Sequence, residues 1–194
     1  IAQELGIHDL LAAGGSRPLP VWQIYDGGMP SEAYVWGKDI PTPDVVWGVY
    51  LPQLQETLLD AARDAGVTTL RPARAVAVVP GYPVSVTIEQ HGESQVVTPR
   101  LVVGADGRES GLRRAIGAAT THAPTHHMLG GCLVSGIDLD ADTGHMGRIE
   151  GGKVMVFRHA GESARLYLIC SPEVAEALRP GGFEAYLAHC AQAF

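Results

Sequence analysis

Asp106 is the side chain whose type and setting point most directly to recognition chemistry. It lies in the stretch Leu101–Arg114, LVVGADGRESGLRR. The apolar run Leu101–Val103 reads as a buried strand, and Gly104 to Gly107 as a tight turn that presents one carboxylate. Ser110 reads as the cap of a short helix that carries Arg113 and Arg114. A carboxylate at the end of a parallel strand can accept hydrogen bonds from ribose hydroxyls, and Gly104 and Gly107 leave room for a ligand against the backbone. The first amides of the following helix favour an anionic group such as a diphosphate.

Other polar groups carry weaker chemical signals. Arg108 reads equally well as a phosphate contact or a surface cation, and Arg113 and Arg114 as phosphate contacts or ion-pair partners. His122, His126 and His127 lie in THAPTHH, where Pro124 argues for a solvated linker over a metal site. Asp138, Asp140 and Asp142 alternate, but their spacing is wrong for a calcium loop and they read as a solvated turn. Ser16, Ser31 and Ser135 lack the GxSxG setting of a hydrolase nucleophile. The three cysteines, Cys132, Cys170 and Cys190, are widely spaced and read as packed, reduced thiols of a cytoplasmic protein. No metal site and no catalytic side chain is assigned.

These groups must be positioned by the elements around them. The 194 residues are 46% hydrophobic, enough for one large or two small cores. The net charge of -7 argues against nucleic acid as a partner, and no apolar run reaches the ~20 residues that span a bilayer. Residues 1–12 are expected to be helical. Short strand-like pieces alternating with turns are expected at 21–28, 33–37 and 45–50. All three tryptophans and three of the six tyrosines fall in this region, either lining a flat substrate's pocket or packing on a small sheet. The clearest helix runs from Pro52 to Ala65, with Leu54, Leu58, Ala61, Ala62 and Ala65 on one stripe and Gly66 as its end. Strands are then expected at Val67–Leu70 and Ala75–Val79. A hairpin about His91-Gly92 follows, then strands over 128–138 and a hairpin over 153–170. A helix is expected over Phe183–Phe194. Helical patterns at both ends, from Ile1 and up to Phe194, suggest an internal piece of a longer protein.

The spacing of Asp106, Gly107, Ser110 and Arg113 resembles the motif of the FAD-dependent aromatic hydroxylases typified by para-hydroxybenzoate hydroxylase. The order helix, strand, antiparallel meander, Asp-Gly strand is similar over about residues 49–117. The resemblance implies an α/β fold: part of a three-layer FAD-binding domain over 1–119, with substrate-facing strands at about 21–50. A mainly antiparallel substrate-binding sheet would occupy 120–194. It implies FAD as cofactor, NAD(P)H as reductant, and hydroxylation of an aromatic or polyketide-like small molecule. Gly104, Asp106, Gly107, Ser110 and Arg113 would contact the cofactor, Asp106 at its ribose. A halogenase, epoxidase or reductase of the same fold, or a non-catalytic remnant of it, stands as the alternative. The family's GxGxxG and its later Gly-Asp motif are not found in the chain. Leu51 occupies the position where the family places Arg or Gln against the flavin, with Gln53 a candidate substitute.

Overall fold

Period-two burial and helical stripes divide the chain into eleven strands and five helices in the computed structural model, which describes residues 4–42, 45–159 and 161–194. The chain begins with α1 (His8–Ala13), β1 (Arg17–Leu19), β2 (Val21–Asp26), β3 (Met29–Val35) and β4 (Val46–Gly48). It continues with α2 (Leu51–Asp64), β5 (Arg74–Val79), β6 (Ser85–Gln90), β7 (Glu93–Val97) and α3 (Gly111–Ala115). Then come β8 (Met128–Ser135), β9 (Thr143–Ile149), β10 (Gly152–Arg158), β11 (Ser163–Cys170), α4 (Pro172–Leu178) and α5 (Gly182–Cys190). The fold is mixed α/β, as expected, and it divides into two compact units: Ile1–Ala62 with Pro124–Phe194, and Arg63–Ala123. No helix among the described residues is long and apolar enough to cross a membrane.

The first unit is built on a six-stranded sheet of order β3-β2-β9-β10-β11-β8, antiparallel except where β2 runs parallel to β9. Strict alternation along β10 and β11 sends Val154, Val156, Ala164, Leu166, Leu168 and Cys170 to one face, where they meet Tyr186, Cys190, Ala193 and Phe194 from the C-terminal helical segment. Burying a Val or Leu side chain contributes about 1.5–3 kcal/mol, so this layer is the unit's main stabilising feature. Cys170 and Cys190 are both 3% exposed, and burial raises the Cys190 thiol to about 11, which leaves it protonated and unreactive. The Ser171 hydroxyl accepts the Val174 amide to cap α4, and Pro172 fits its first turn. The opposite face of the sheet carries an aromatic row, with Trp22 and Phe157 centroids 5.5 Å apart and Phe157 and Tyr167 6.0 Å apart.

β9 was not expected from the sequence. Its inward positions are Thr143, His145 and Gly147, so TGHMGRI shows no apolar alternation. A Cβ on Gly147 would strike Ala193, which explains the small residue. Asp140 is exposed in a turn, as expected, and it also ties down the entry to this strand. Its Oδ2 accepts from the Thr143 hydroxyl at 2.8 Å, and its carbonyl accepts from His145 Nε2 at 2.9 Å. A carbonyl can only accept, so Nε2 carries the proton and Nδ1 accepts from the Tyr25 hydroxyl at 3.0 Å.

In the second unit β5, β6 and β7 form an antiparallel meander. His91 (φ 52°) and Gly92 (φ 83°) both take left-handed backbone, the two-residue turn that matches strand twist. Val86 is its buried apolar centre. Ser110 caps α3 by accepting the Arg113 amide at 3.0 Å.

Three expectations are corrected. Val67–Leu70 and Leu101–Val103 are not strands, because no described strand runs beside them to complete a ladder. Leu101 and Val103 are 76% and 78% exposed rather than buried. The first helix is shorter than residues 1–12 and starts at His8, after Gly6 with a φ of 66°; its expected first three residues, and Pro43, lie outside the described residues.

Two outcomes follow from these networks. Ser110→Ala should cost about 1 kcal/mol of stability, measured by denaturant unfolding of the purified protein. The second concerns pH. Burial lowers the pKa of both His145 and His159 below the usual 6.5, with the Arg165 charge adding to the effect at His159. Unfolding restores the higher value, so the unfolded chain takes up protons first and stability falls as pH drops below about 6.5. Melting temperature measured across pH 7.5 to 5 should therefore decline. His145→Gln, which cannot titrate, should flatten part of that decline.

Candidate cofactor-binding site

Asp106 sits where the chain leaves an extended segment and enters α3. Its Oδ2 accepts the amide of Gly111 at 2.6 Å and that of Leu112 at 3.1 Å, two of the donors a helix start leaves unpaired. The Ser110 hydroxyl first, and then the Leu112 and Gly111 amides, hold the carboxyl at about 2, so it is ionised at any ordinary pH. Gly107, at φ 81°, supplies the left-handed turn and faces open space, so a ligand meets backbone there and no side chain. Gly104 does something different: a Cβ there would collide with Leu112, so its bareness lets α3 lie against the extended segment.

The cations settle into structural work. Arg113 donates to the Arg108 carbonyl, and Arg114 to the Glu109 carbonyl at 2.9 Å. Both therefore clamp the loop from inside rather than pair with acids. Arg108 is exposed and reaches Glu109 at 3.6 Å, a contact of small energetic worth. A cleft of about 300 Å³ opens beside this loop within the second unit, lined by Val78, Val86, Val102, Asp106, Gly111 and Leu112 among others. Thus Gly104, Asp106, Gly107, Ser110 and Arg113 are brought together in one turn-and-helix feature. Asp106 and the α3 start open onto an apolar wall.

The first unit has its own cleft, of about 330 Å³, on the sheet face opposite α4 and α5. Its lining includes Tyr50, Leu51, Leu133, His159, Arg165 and Tyr167. Leu51 thus faces a cavity, at the start of α2, while the Gln53 carboxamide lies against Gly15. Sequence reading passed over His159 and Arg165, although the period of two along SARLYLIC already sets Arg165 and Tyr167 on one face. Of the tryptophans, Trp22 and Trp36 meet edge to face at 6.4 Å and line, with Met146 and Phe157, a further apolar cleft. His122, His126 and His127 are exposed on a loop, and no metal-holding group of three or more His, Cys, Asp or Glu occurs among the described residues.

No protein-family model matches the chain. No curated protein matches it in sequence. Solved structures do match it in shape. The flavin-dependent halogenase CmlS superposes with a TM-score of 0.79 at 21% identity, over 100% of this chain and 37% of its own. PqsL of Pseudomonas aeruginosa, a probable FAD-dependent monooxygenase, gives 0.72 at 20% identity, over 92% of this chain and 50% of its own. A flavoprotein/dehydrogenase from Cytophaga hutchinsonii gives 0.83 at 14%, over 98% and 48%. The chain therefore spans about half or less of the length of the proteins it resembles. At these identities the likeness is one of fold: the chain carries the fold of the para-hydroxybenzoate hydroxylase-like flavoproteins.

Proposed function

We propose that this chain is part of an FAD-dependent monooxygenase that hydroxylates an aromatic or polyketide-like small molecule, with NAD(P)H as reductant. The observation that carries the reading is the Asp106 turn. An ionised carboxylate is fixed on two helix amides beside an open, left-handed glycine and an apolar cleft. That arrangement fits the ribose edge of a dinucleotide, since a carboxylate accepts hydroxyl protons, while the first α3 amides are already taken by Asp106 and Ser110. Asp106 would hold the ribose, Gly107 would allow close approach, and Ser110 and Arg113 would keep the loop in shape. A bound flavin supplies the electron transfer and oxygen chemistry that no side chain can. In this reading the unit Arg63–Ala123 serves the cofactor, and the open face of the six-stranded sheet serves the substrate.

The shape likeness to monooxygenases and to halogenases supports the flavoenzyme class. PqsL has been seen with 2-aminobenzoylacetate, a small aromatic acid, which supports an aromatic substrate for this fold. A halogenase is the second reading, favoured by one feature. Lys153, the only lysine after Lys38, stands on the open face of β10 in step with Met155 and Phe157. Product analysis in bromide-containing buffer separates the two: a hydroxylated product unaffected by Lys153→Ala supports the first reading, and a brominated product lost in that variant supports the second.

Asp106→Ala should weaken flavin binding by about 10- to 100-fold, the worth of hydrogen bonds to a charged acceptor. Asp106→Asn, which keeps an oxygen for the Gly111 and Leu112 amides, should fold normally and lose part of that affinity. Flavin absorbance of the purified protein reads both; unchanged flavin content in the two variants contradicts the assignment.

A further inference from the structure

We propose that β8 is a self-pairing sheet edge, through which two copies of this chain join in antiparallel register about a two-fold axis at Gly131. The inference stands apart from the flavoenzyme reading and concerns the first unit alone.

The six-stranded sheet ends in two unlike edges. β3 carries Pro30, which has no amide hydrogen to offer, and Glu32, whose carboxylate accepts the Tyr34 hydroxyl at 2.6 Å. Its pairing with β2 is also shifted between Ile24 and Tyr25. Charge, proline and bulging keep a sheet edge from meeting another edge. β8 has none of these. MLGGCLVS holds no charge and no proline, and all eight residues keep regular register with β11. No described strand runs along its outer side, so alternate amides and carbonyls point away from the sheet outside any ladder. Tyr186 reaches the Gly130 carbonyl, but at a long 3.5 Å.

The side chains are as open as the backbone. Leu129, Gly131 and Leu133 share the face opposite α4 and α5, while Met128, Gly130, Cys132 and Val134 share the face those helices cover. Leu129 and Leu133 are 61% and 47% exposed, and Met128 is exposed as well. Beside the strand, α5 adds Phe183, stacked on Tyr186 and exposed, and Leu187.

Symmetry and charge together name the occupant. Residues directly opposed in an antiparallel pair lie on one face of the sheet. A two-fold axis at Gly131 therefore sets Leu129 of each copy against Leu133 of the other, and Met128 against Val134. Gly130 meets Cys132, so each position finds an apolar or small counterpart. A shift of one residue would send the leucines to opposite faces. The chain carries a net charge of -7, yet β8 brings no like charges together, and a charged partner would find no ionic handle on it. A strand pair with a helix at its flank is a small interface, so the dimer should be weak, with a Kd of about 1–100 µM.

Sedimentation velocity of the purified chain, from about 1 to 200 µM, reads the association, and the sedimentation coefficient should rise from monomer towards dimer across that range. Leu129→Lys should weaken dimerisation about tenfold or more, whereas Met29→Lys, at an exposed apolar position on the β3 edge, should leave it unchanged. A crosslink fixes the register. Leu129→Cys combined with Leu133→Cys should give a disulfide-linked dimer in oxidised glutathione, and neither single variant should. Within one chain the two positions lie about 13 Å apart along the strand, too far to bridge. The crosslink decides the matter even where Leu129→Lys fails to fold. A monomer throughout the range, association untouched by Leu129→Lys, or single variants that link as readily as the double overturns the proposal.

Discussion

Two amides on one carboxylate oxygen set the geometry of everything around the Asp106 loop. α3 has five residues, too few to be stable by its own propensity, and its first amides would otherwise be unpaired. Asp106 Oδ2 satisfies those of Gly111 and Leu112, Ser110 satisfies that of Arg113, and the guanidiniums of Arg113 and Arg114 return to carbonyls of the same loop. The loop is thus closed by its own polar groups before any ligand arrives. Preorganisation of this kind lowers the ordering cost of binding. It also explains why an exposed carboxylate stays ionised down to a pH of about 2.

A second constraint shapes the unit built on the six-stranded sheet. β9 occupies the middle of the six-stranded sheet with glycine and polar residues on its inward side, so Ala193 and Phe194 can settle close against it. The chain of hydrogen bonds through Tyr25, His145 and Asp140 replaces the apolar contacts such a strand would otherwise make. One sheet face is then sealed by helices. The other carries Trp22, Phe157 and Tyr167; the Trp22 ring lies over Gly144 and the Tyr167 ring over Gly131, where a Cβ would press into them at 2.6 and 2.7 Å.

Sequence reading reached the elements whose pattern is local. The α2 stripe, the His91-Gly92 hairpin, the alternation of β10 and β11, and the Ser110 cap all lie where their residues indicate. It failed where identity and environment part company. TGHMGRI is a central strand without an apolar period, because its buried face is held by hydrogen bonds and small residues. The apolar Leu101–Val103 promised a strand, but a strand exists only through a neighbour, and none of the described strands runs beside it. Asp106 was legible as a carboxylate in a glycine turn, whereas its attachment to the Gly111 and Leu112 amides was not. Arg165 and His159 were invisible as a site because the lining of the cleft is drawn from β4, α2 and the β10–β11 hairpin, far apart in sequence.

The central claim is that the Asp106 turn seats the ribose of a flavin dinucleotide without rearranging. A crystal structure of the flavin-loaded protein tests it most directly. The account predicts a ribose hydroxyl within hydrogen-bond distance of the Asp106 carboxylate, with the Gly111 and Leu112 amides still on Oδ2. A flavin bound with its ribose elsewhere, or an Asp106 turned away from α3 to reach it, would contradict the account.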